Sequence, residues 1–228
     1  MQTAQRKAQQ FAGEIVDKAI GVLQTQEHSL RLEVGEWAVG DTVLMGKYEQ
    51  GNGIKPIEWR VLDRVGHKVL LLSEYGIDCK PFDTIKTNVT WETCSLRTWL
   101  NITFKNTAFD SDEKELILST TVTADKNPTY DTSPGENTTD KVFLLSITEV
   151  NKYFKSDSAR QCKGTAYCYE RGAYKGNNGN CLWWLRSPGY SSSNAARVIN
   201  GGSVDDYGDS VYRSQNAVRP ALWINLEP

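Results

Sequence analysis

The sequence predicts a protein of the α+β class, in which helices and strands occupy separate stretches of the chain. Residues 4–26 repeat apolar side chains at near-helical spacing, whereas from about residue 39 the apolar residues fall in short alternating or β-branched runs. Two strongly apolar runs, 182–186 and 218–224, enclose a long polar stretch. We therefore expect helices first and then a sheet-rich half that ends on a central strand.

The first predicted element is an amphipathic helix over residues 4–26, in an N-terminal unit that spans residues 1–30. Its apolar stripe is formed by Ala8, Phe11, Ile15, Ala19, Ile20 and Leu23. Such a stripe needs a partner surface, and three remain open: the following domain, a second copy of the chain in an oligomer, or another protein. We assign residues 31–228 to a single second domain.

Short strands and capped helices alternate through the middle of the chain. Glycine-containing turns separate three predicted strands, which cover residues 42–48, 57–63 and 68–74. Polar N-cap residues then indicate three short helices, and in the second and third a Glu follows the cap by three residues; the caps are Ser95, Asp110 and Ser146. The apolar run 142–145 predicts a buried strand, and composition predicts loops over 127–140 and 172–180.

The C-terminal part combines apolar strands with a segment of small polar residues. Residues 182–186 predict a buried strand, and residues 189–216 are mostly glycine, serine, asparagine, aspartate and tyrosine. Val198, Val204 and Val211 recur at regular spacing within this segment. Such spacing favours tight hairpins with a few inward-facing anchors over a disordered tail.

Composition and charge exclude several classes of function. The chain has 228 residues, 39% of them hydrophobic and 24% charged, and a formal net charge of −2. This balance gives no basic surface for nucleic acid, and no apolar run is long enough for a membrane span. The polar N-terminus lacks the apolar core of a signal peptide, so we expect synthesis in the cytoplasm. A final place on a virion or a cell surface would need a partner.

The cysteines do not form a recognisable metal or disulfide pattern. Five are present, an odd number without a C-x-x-C pair: Cys79, Cys94, Cys162, Cys168 and Cys181. Either Cys162 and Cys168 form a redox pair, or a zinc site uses some of these thiols, or the cysteines are small buried apolar side chains. The last interpretation fits the spacing best, and we predict neither a metal nor a cofactor.

Two C-terminal motifs resemble a widespread bacterial domain family with a C-type-lectin-like fold. The motifs are WWLRSPG at 183–189 and VRPALW at 218–223, and weaker support comes from IEWRVL at 57–62 and SLRTWLN at 95–101. The family includes the variable proteins of diversity-generating retroelements. In these systems an error-prone reverse transcriptase changes adenines in a template copy of the 3′ end of the gene. The resemblance implies a stable scaffold that displays a diversified binding face within residues 183–223.

The residue types of one segment agree with that implication. Codons AAC and AAT, changed only at their adenines, cannot encode Lys, Glu, Gln, Trp or Met. None of these five types occurs between residues 189 and 214, although the chain contains seven tryptophans elsewhere.

We therefore divide the segment into ligand-binding and scaffold positions. The scaffold positions are Ala195, Ala196, Val198, Gly202, Val204 and Val211. The candidate ligand-binding positions are Tyr190, Ser191, Ser192, Ser193, Arg197, Ile199, Asn200, Ser203, Asp205, Asp206, Tyr207, Asp209, Ser210, Tyr212, Arg213 and Ser214. Tyrosine and arginine supply most binding energy in such mixtures, which makes Tyr190, Tyr207, Tyr212, Arg197 and Arg213 the predicted anchors. The expected partner is a protein or glycan on another cell or surface.

Three alternatives remain open. An enzyme related in fold to the formylglycine-generating enzymes would need an exposed, reactive Cys181. A calcium-dependent sugar-binding site would use the oxygens of Asp205, Asp206 and Asp209. A structural or assembly module of a phage or cell-surface apparatus would have no diversified site and would dock through its N-terminal helix. In every case we expect Arg186 and Arg219 to tie loop carbonyls or carboxylates together, and Trp183, Trp184 and Trp223 to lie in the core.

Overall fold

The computed structural model describes residues 37–86 and 88–226, and within these ranges it confirms a mixed α+β fold with more strand than helix. The predicted N-terminal helix lies outside the described residues. The strands are β1 (Thr42–Glu49), β2 (Ile54–Val65), β3 (Lys68–Ser73), β4 (Asp78–Cys79), β5 (Thr120–Val122), β6 (Thr138–Asp140), β7 (Trp183–Pro188), β8 (Asn194–Val198), β9 (Val204–Ser210), β10 (Ala217–Val218) and β11 (Ala221–Asn225). The helices are α1 (Ser95–Trp99), α2 (Lys105–Ala108), α3 (Ser111–Leu116), α4 (Ile147–Tyr153), α5 (Asp157–Arg160) and α6 (Ala166–Glu170).

The strands form one four-stranded sheet, one five-stranded sheet and a small pair. The first sheet has the order β1-β2-β3-β11, and its neighbouring strands are antiparallel. The second has the order β4-β10-β7-β8-β9, in which only β10 and β7 run parallel. Strands β5 and β6 pair separately, so the end of the predicted loop 127–140 is in fact a strand. The three predicted early strands are confirmed.

The second and third predicted helices begin at their predicted caps, Asp110 and Ser146. The N-cap of α1 is Cys94 and not the predicted Ser95, which is the first helical residue. The side chain of Asp110 accepts a hydrogen bond from the Glu113 amide, and the Glu113 carboxylate accepts one from the Asp110 amide. Ser146 and Glu149 make the same reciprocal pair at the start of α4. Helix α1 continues through a π-helical turn, Leu100–Phe104, into α2, so the predicted helix 95–101 is longer than expected.

Two predictions about apolar runs were wrong. Residues 142–145 are buried but make only an isolated bridge, Phe143 to Ala221. The reason is that Arg186 donates hydrogen bonds to two of their carbonyls, to Leu144 from its side chain and to Leu145 from its backbone amide. The run 218–224 is not one central strand. It divides at Pro220, which has no N–H for a ladder, into β10 in one sheet and β11 at the end of the other.

The predicted order of elements was also wrong for the described residues. Four strands precede the first described helix, and groups of helices and strands then alternate along the chain. A sequence pattern identifies local periods, but the sheets are assembled from strands that lie far apart in the chain, such as β3 with β11.

Large aromatic residues are buried on both faces of the five-stranded sheet. Trp183 and Trp184 are adjacent on β7 and point to opposite faces, yet both are fully buried. Their indole N–H groups donate to the carbonyls of Arg160 (3.2 Å) and Lys80 (2.9 Å). The prediction of core tryptophans is thus confirmed for these two, whereas Trp223 is half-buried. Among the residues described, no helix is both long and apolar enough to cross a membrane.

Candidate functional site: the outer face of the β8–β9 hairpin

The candidate residues lie on and beside an edge hairpin. Strand β9 ends the five-stranded sheet and pairs with β8 from Asn194 opposite Ser210 to Val198 opposite Val204. A tight turn joins the strands, closed by a hydrogen bond from the Gly202 amide to the Ile199 carbonyl (2.8 Å). We call the exposed surface formed by the candidate ligand-binding positions of residues 190–214 the hairpin face.

Burial separates the two groups of residues proposed from the sequence. Each candidate ligand-binding position is exposed or half-buried. The scaffold positions are buried with one exception, Val204, which is half-buried because it lies on the edge strand. The exposed aromatic residues on the hairpin face are Tyr190 (43%), Tyr207 (51%) and Tyr212 (41%). The segment therefore has a fixed inner side and an outer side that is free to contact a partner.

A glycine fixes the backbone beside the exposed tyrosines. Gly208 has φ of +76°, a left-handed conformation that suits glycine, and a Cβ there would collide with the Ala195 carbonyl. The Gly208 amide donates to the Asp205 carboxylate (3.1 Å). The register of β8 and β9 shifts between Ala195 and Arg197, at the same level of the hairpin. This bulge sets the direction in which Tyr207 leaves the strand.

Three tyrosine rings pack together at the hairpin face. The rings of Tyr190 and Tyr207 stack with centroids 4.0 Å apart and planes 12° from parallel. Tyr130 packs edge-on against both, at 6.4 Å from Tyr190 and 6.0 Å from Tyr207. A hydrogen bond with Tyr190 raises the pKa of Tyr207, and burial adds to the rise. We call these three residues the tyrosine cluster.

The loop that carries Tyr130 is bonded to the hairpin. Asn127 is buried, and its amide donates to the carbonyls of Pro188 (2.8 Å) and Asp206 (2.7 Å). Its side-chain oxygen accepts from the amide of Tyr130 (3.1 Å). The Thr129 hydroxyl donates to the Asp206 carboxylate at 2.5 Å. These contacts place Tyr130 on the same surface as the candidate residues, although it lies outside their segment.

Arg197 is committed to ion pairs within the hairpin. Its guanidinium contacts Asp205 at 2.9 Å and Asp209 at 2.6 Å, and the Asn216 amide also donates to Asp209 (3.1 Å). The predicted anchor role of Arg197 would therefore require it to contact a partner while keeping these carboxylates. Arg213, a second predicted anchor, is exposed and lies 3.9 Å from Asp209.

Tyr212 has two basic residues beside it. The ammonium of Lys86 lies 5.5 Å from the centroid of the Tyr212 ring. Arg213 is the next residue along the chain and is exposed.

The hairpin turn is bonded to helix α5. The Ser203 hydroxyl donates to the carboxylate of Asp157, the first residue of that helix (2.6 Å).

The aspartates of the hairpin do not converge on a cation site. Asp205 and Asp209 pair with Arg197, whereas Asp206 bonds to Thr129. In residues 37–86 and 88–226 no group of three or more His, Cys, Asp or Glu side chains is arranged to hold a metal ion. Two clefts of about 180 and 380 Å³ are lined by residues outside the candidate segment.

The cysteines are buried free thiols. Burial raises the pKa of Cys79 and of Cys94 to about 12. Cys181, which the enzymatic alternative needs at the surface, is 0% exposed and bonds through its thiol to the Cys162 carbonyl (3.3 Å). The burial of Cys181 removes the accessible nucleophile on which that alternative depended.

One of these thiols has a cation nearby. Burial opposes ionisation of Cys162, but the hydrogen bond from Cys181 and the charge of Arg219 outweigh it and lower the pKa of Cys162. The Cys162 thiol and Arg219 both contact the Glu74 carbonyl, at 3.6 and 3.4 Å. Arg219 is 1% exposed, and its Nη1 has no hydrogen-bond partner within the described part of the chain.

The two motif arginines tie the scaffold together, as the sequence predicted. Arg186 donates to the carbonyls of Thr123 (3.2 Å) and Leu144 (2.9 Å) and pairs with both oxygens of Glu149. Arg219 donates to the Ser73 carbonyl at 2.9 Å.

The sequence did not identify Tyr130, Asn127 or Lys86 as parts of this surface. The run NPTYD at 127–131 shows only a loop by composition, and its one signal was a tyrosine among turn-forming residues. Contacts between residues so far apart in the chain leave no local pattern in the sequence.

A protein-family model described as a domain of unknown function, DUF6273, matches residues 66–226. Neither the search of curated proteins nor the search of solved structures gave a match. The matched segment contains the five-stranded sheet and the whole hairpin face.

Proposed function

The chain belongs to the DUF6273 family, and from that premise and the geometry of the hairpin face we propose that it is a non-enzymatic protein that binds a ligand through this face. One observation supports the proposal above the others. The candidate ligand-binding positions are all exposed or half-buried, and the positions between them that we assigned to the scaffold are buried except Val204.

We further propose that the domain has a C-type-lectin-like fold and that a retroelement diversifies its hairpin face. The motifs WWLRSPG and VRPALW supply the support, because they flank the candidate segment. Their arginines bond to backbone carbonyls of other elements. Such a scaffold keeps its conformation while exposed side chains change, which is what a diversified binding face requires.

The ligand we propose is macromolecular. The candidate residues extend along an open hairpin, and neither of the two clefts described above includes them. Small molecules are usually bound in concave pockets, whereas proteins and polysaccharides bind flatter surfaces rich in tyrosine and arginine.

The first test is genetic. The DNA downstream of the gene is sequenced and searched for a near-copy of the segment that encodes residues 183–223. We expect a copy that differs only where it carries adenine, next to a reverse-transcriptase gene. A gene without such a repeat would contradict diversification and would favour the alternative of a structural or assembly module with a constant surface.

A further inference from the structure

The tyrosine cluster presents aromatic surface at a fixed position. Tyr190 and Tyr207 are about half exposed, and their stacked rings are supported from the side by Tyr130. The Asn127 amide bonds the Tyr130 loop to the carbonyl of Asp206 in the hairpin and to that of Pro188 at the end of β7. A ligand that contacts these rings therefore meets a preorganised surface, which lowers the entropy lost on binding.

The charges beside the cluster are mainly negative. Asp206 adjoins Tyr207 in the chain, and its carboxylate bonds to a neutral hydroxyl, that of Thr129. Asp131 adjoins Tyr130 and is exposed. The loop 125–136 contains one lysine and three carboxylates, of which Asp125 pairs with Arg186 at 3.5 Å.

The basic side chains of the hairpin, and Lys86, contact groups outside the cluster. Arg197 is held by Asp205 and Asp209. Arg213 lies 3.9 Å from Asp209, and the Lys86 ammonium lies over the Tyr212 ring. The cluster thus combines electron-rich ring faces with carboxylates whose charge is not balanced by a described cation in contact with them.

We infer that the tyrosine cluster, together with Asp206 and Asp131, binds a lysine or arginine side chain on a basic segment of a partner protein. The inference rests on the proposed function and names the partner class. Aromatic faces attract cations, and adjacent carboxylates add a direct charge interaction. A neutral glycan would gain from stacking but not from the charge. Tyr130 is then a specificity-determining residue that lies outside the diversified segment.

The test uses the full chain and two matched probes. Backbone amide NMR spectra are recorded at low salt while N-acetylated, C-amidated tetralysine is added, and the titration is repeated with tetraglutamate. We expect shifts concentrated at Tyr130, Tyr190, Asp206 and Tyr207 with tetralysine alone. The shifts should weaken as salt is raised, because exposed charge interactions are screened.

Variants assign the effect to the cluster. Tyr130→Ala and Asp206→Asn should each weaken tetralysine binding about two- to fivefold, the range for a cation–ring contact at an exposed site. Tyr130→Phe should retain binding, because the ring rather than the hydroxyl makes the contact. Tyr75→Ala is the control, since Tyr75 is also exposed (37%) but lines a cleft built from other residues.

Different outcomes separate this inference from the proposed function. Equal shifts with tetraglutamate, or tetralysine binding unchanged by Tyr130→Ala and Asp206→Asn, would overturn the cation site. Binding of a neutral oligosaccharide to the cluster with no response to tetralysine would also overturn it, yet would leave the hairpin face a binding surface. The proposed function fails instead if the genetic test finds no repeat and neither probe nor sugar shifts any residue of the face.

Discussion

Arg186, on strand β7, and Glu149, on helix α4, form a bidentate ion pair, in which each carboxylate oxygen is bonded to a different guanidinium nitrogen. The Arg186 side chain is 2% exposed, and it also holds the carbonyls of Thr123 and Leu144. Glu149 at the same time caps helix α4. A residue of the apolar β7 strand is thereby connected to a helix and to two loops.

Removal of Arg186 should therefore unfold the domain more readily than removal of a surface arginine. Arg186→Met leaves a carboxylate and two carbonyls without their donor, and we expect the free energy of unfolding to fall by about 3–5 kcal/mol. Urea denaturation measures the change. Arg213→Met is the matched control and should stay within about 0.5 kcal/mol of the parent, since Arg213 is exposed. Equal effects from the two variants would contradict the scaffold role of Arg186.

The exposed tyrosines should be dispensable for folding. Tyr207→Ala removes a ring stack at the surface, so we expect a loss of about 0.5–1.5 kcal/mol. Tyr212→Ala should cost less, because the Tyr212 ring contacts the ammonium of Lys86 and takes no part in the tyrosine stack. Trp184→Ala, in the core, should cost about 3–5 kcal/mol in the same urea experiment. If both tyrosine variants cost as much as Trp184→Ala, these residues belong to the scaffold.

Gly208 should tolerate no side chain. Gly208→Ala combines a left-handed backbone with a clash against the Ala195 carbonyl. Gly53→Ala is the control, because Gly53 also has a positive φ (+104°) but open space around its Cβ position, and it should cost about 1–2 kcal/mol. We expect a larger loss at Gly208 and faster amide hydrogen exchange throughout β8 and β9. Indistinguishable losses from the two variants would argue against the tight bulge.

The Cys162 thiol should make stability depend on pH. The folded chain holds the pKa of Cys162 below the ordinary thiol value of 9.0, so it releases this proton at a lower pH than the unfolded chain. The stabilisation is complete above pH 9, and it is lost as the pH falls through the folded pKa.

Urea unfolding of the parent chain and of Cys162→Ser, measured at intervals from pH 6 to 9, tests this dependence. The difference between the two chains should change in favour of the parent as the pH rises. Cys79→Ser is the control, because burial raises the pKa of Cys79 and keeps it protonated throughout this range. A parallel pH dependence of all three chains would contradict a thiolate at Cys162.

Local patterns in the sequence were sufficient for the elements that local interactions determine. The capping boxes at Asp110 and Ser146 lie within one helical turn of their partners, and both helices begin there. The alternation of small polar residues with buried valine and alanine similarly marked the two sides of the hairpin. These features need no knowledge of the remaining chain.

Features that depend on distant partners were not predictable in this way. Leu144 and Leu145 have side chains typical of a strand, but their carbonyls accept hydrogen bonds from Arg186 instead of from a strand ladder. Tyr130 gains its place only through the bond from Asn127 to the distant hairpin. The division of the last apolar run at Pro220 had a local signal, since proline cannot donate to a ladder. That signal did not reveal that the two halves enter different sheets.

The Asn127 amide donates to two main-chain oxygens, that of Pro188 at the end of β7 and that of Asp206 in the hairpin. Other connections to the hairpin have the same character: the Val89 amide reaches the Ser192 carbonyl (2.8 Å), and the Val211 amide reaches the Ser193 carbonyl (3.0 Å). None of these bonds depends on which side chains those serines or that aspartate carry. These main-chain bonds are therefore indifferent to sequence at the positions they hold, unlike the side-chain bonds of Asp206 to Thr129 and of Ser203 to Asp157. Through them the same framework can display many alternative surfaces, whether chosen by nature or by a designed library.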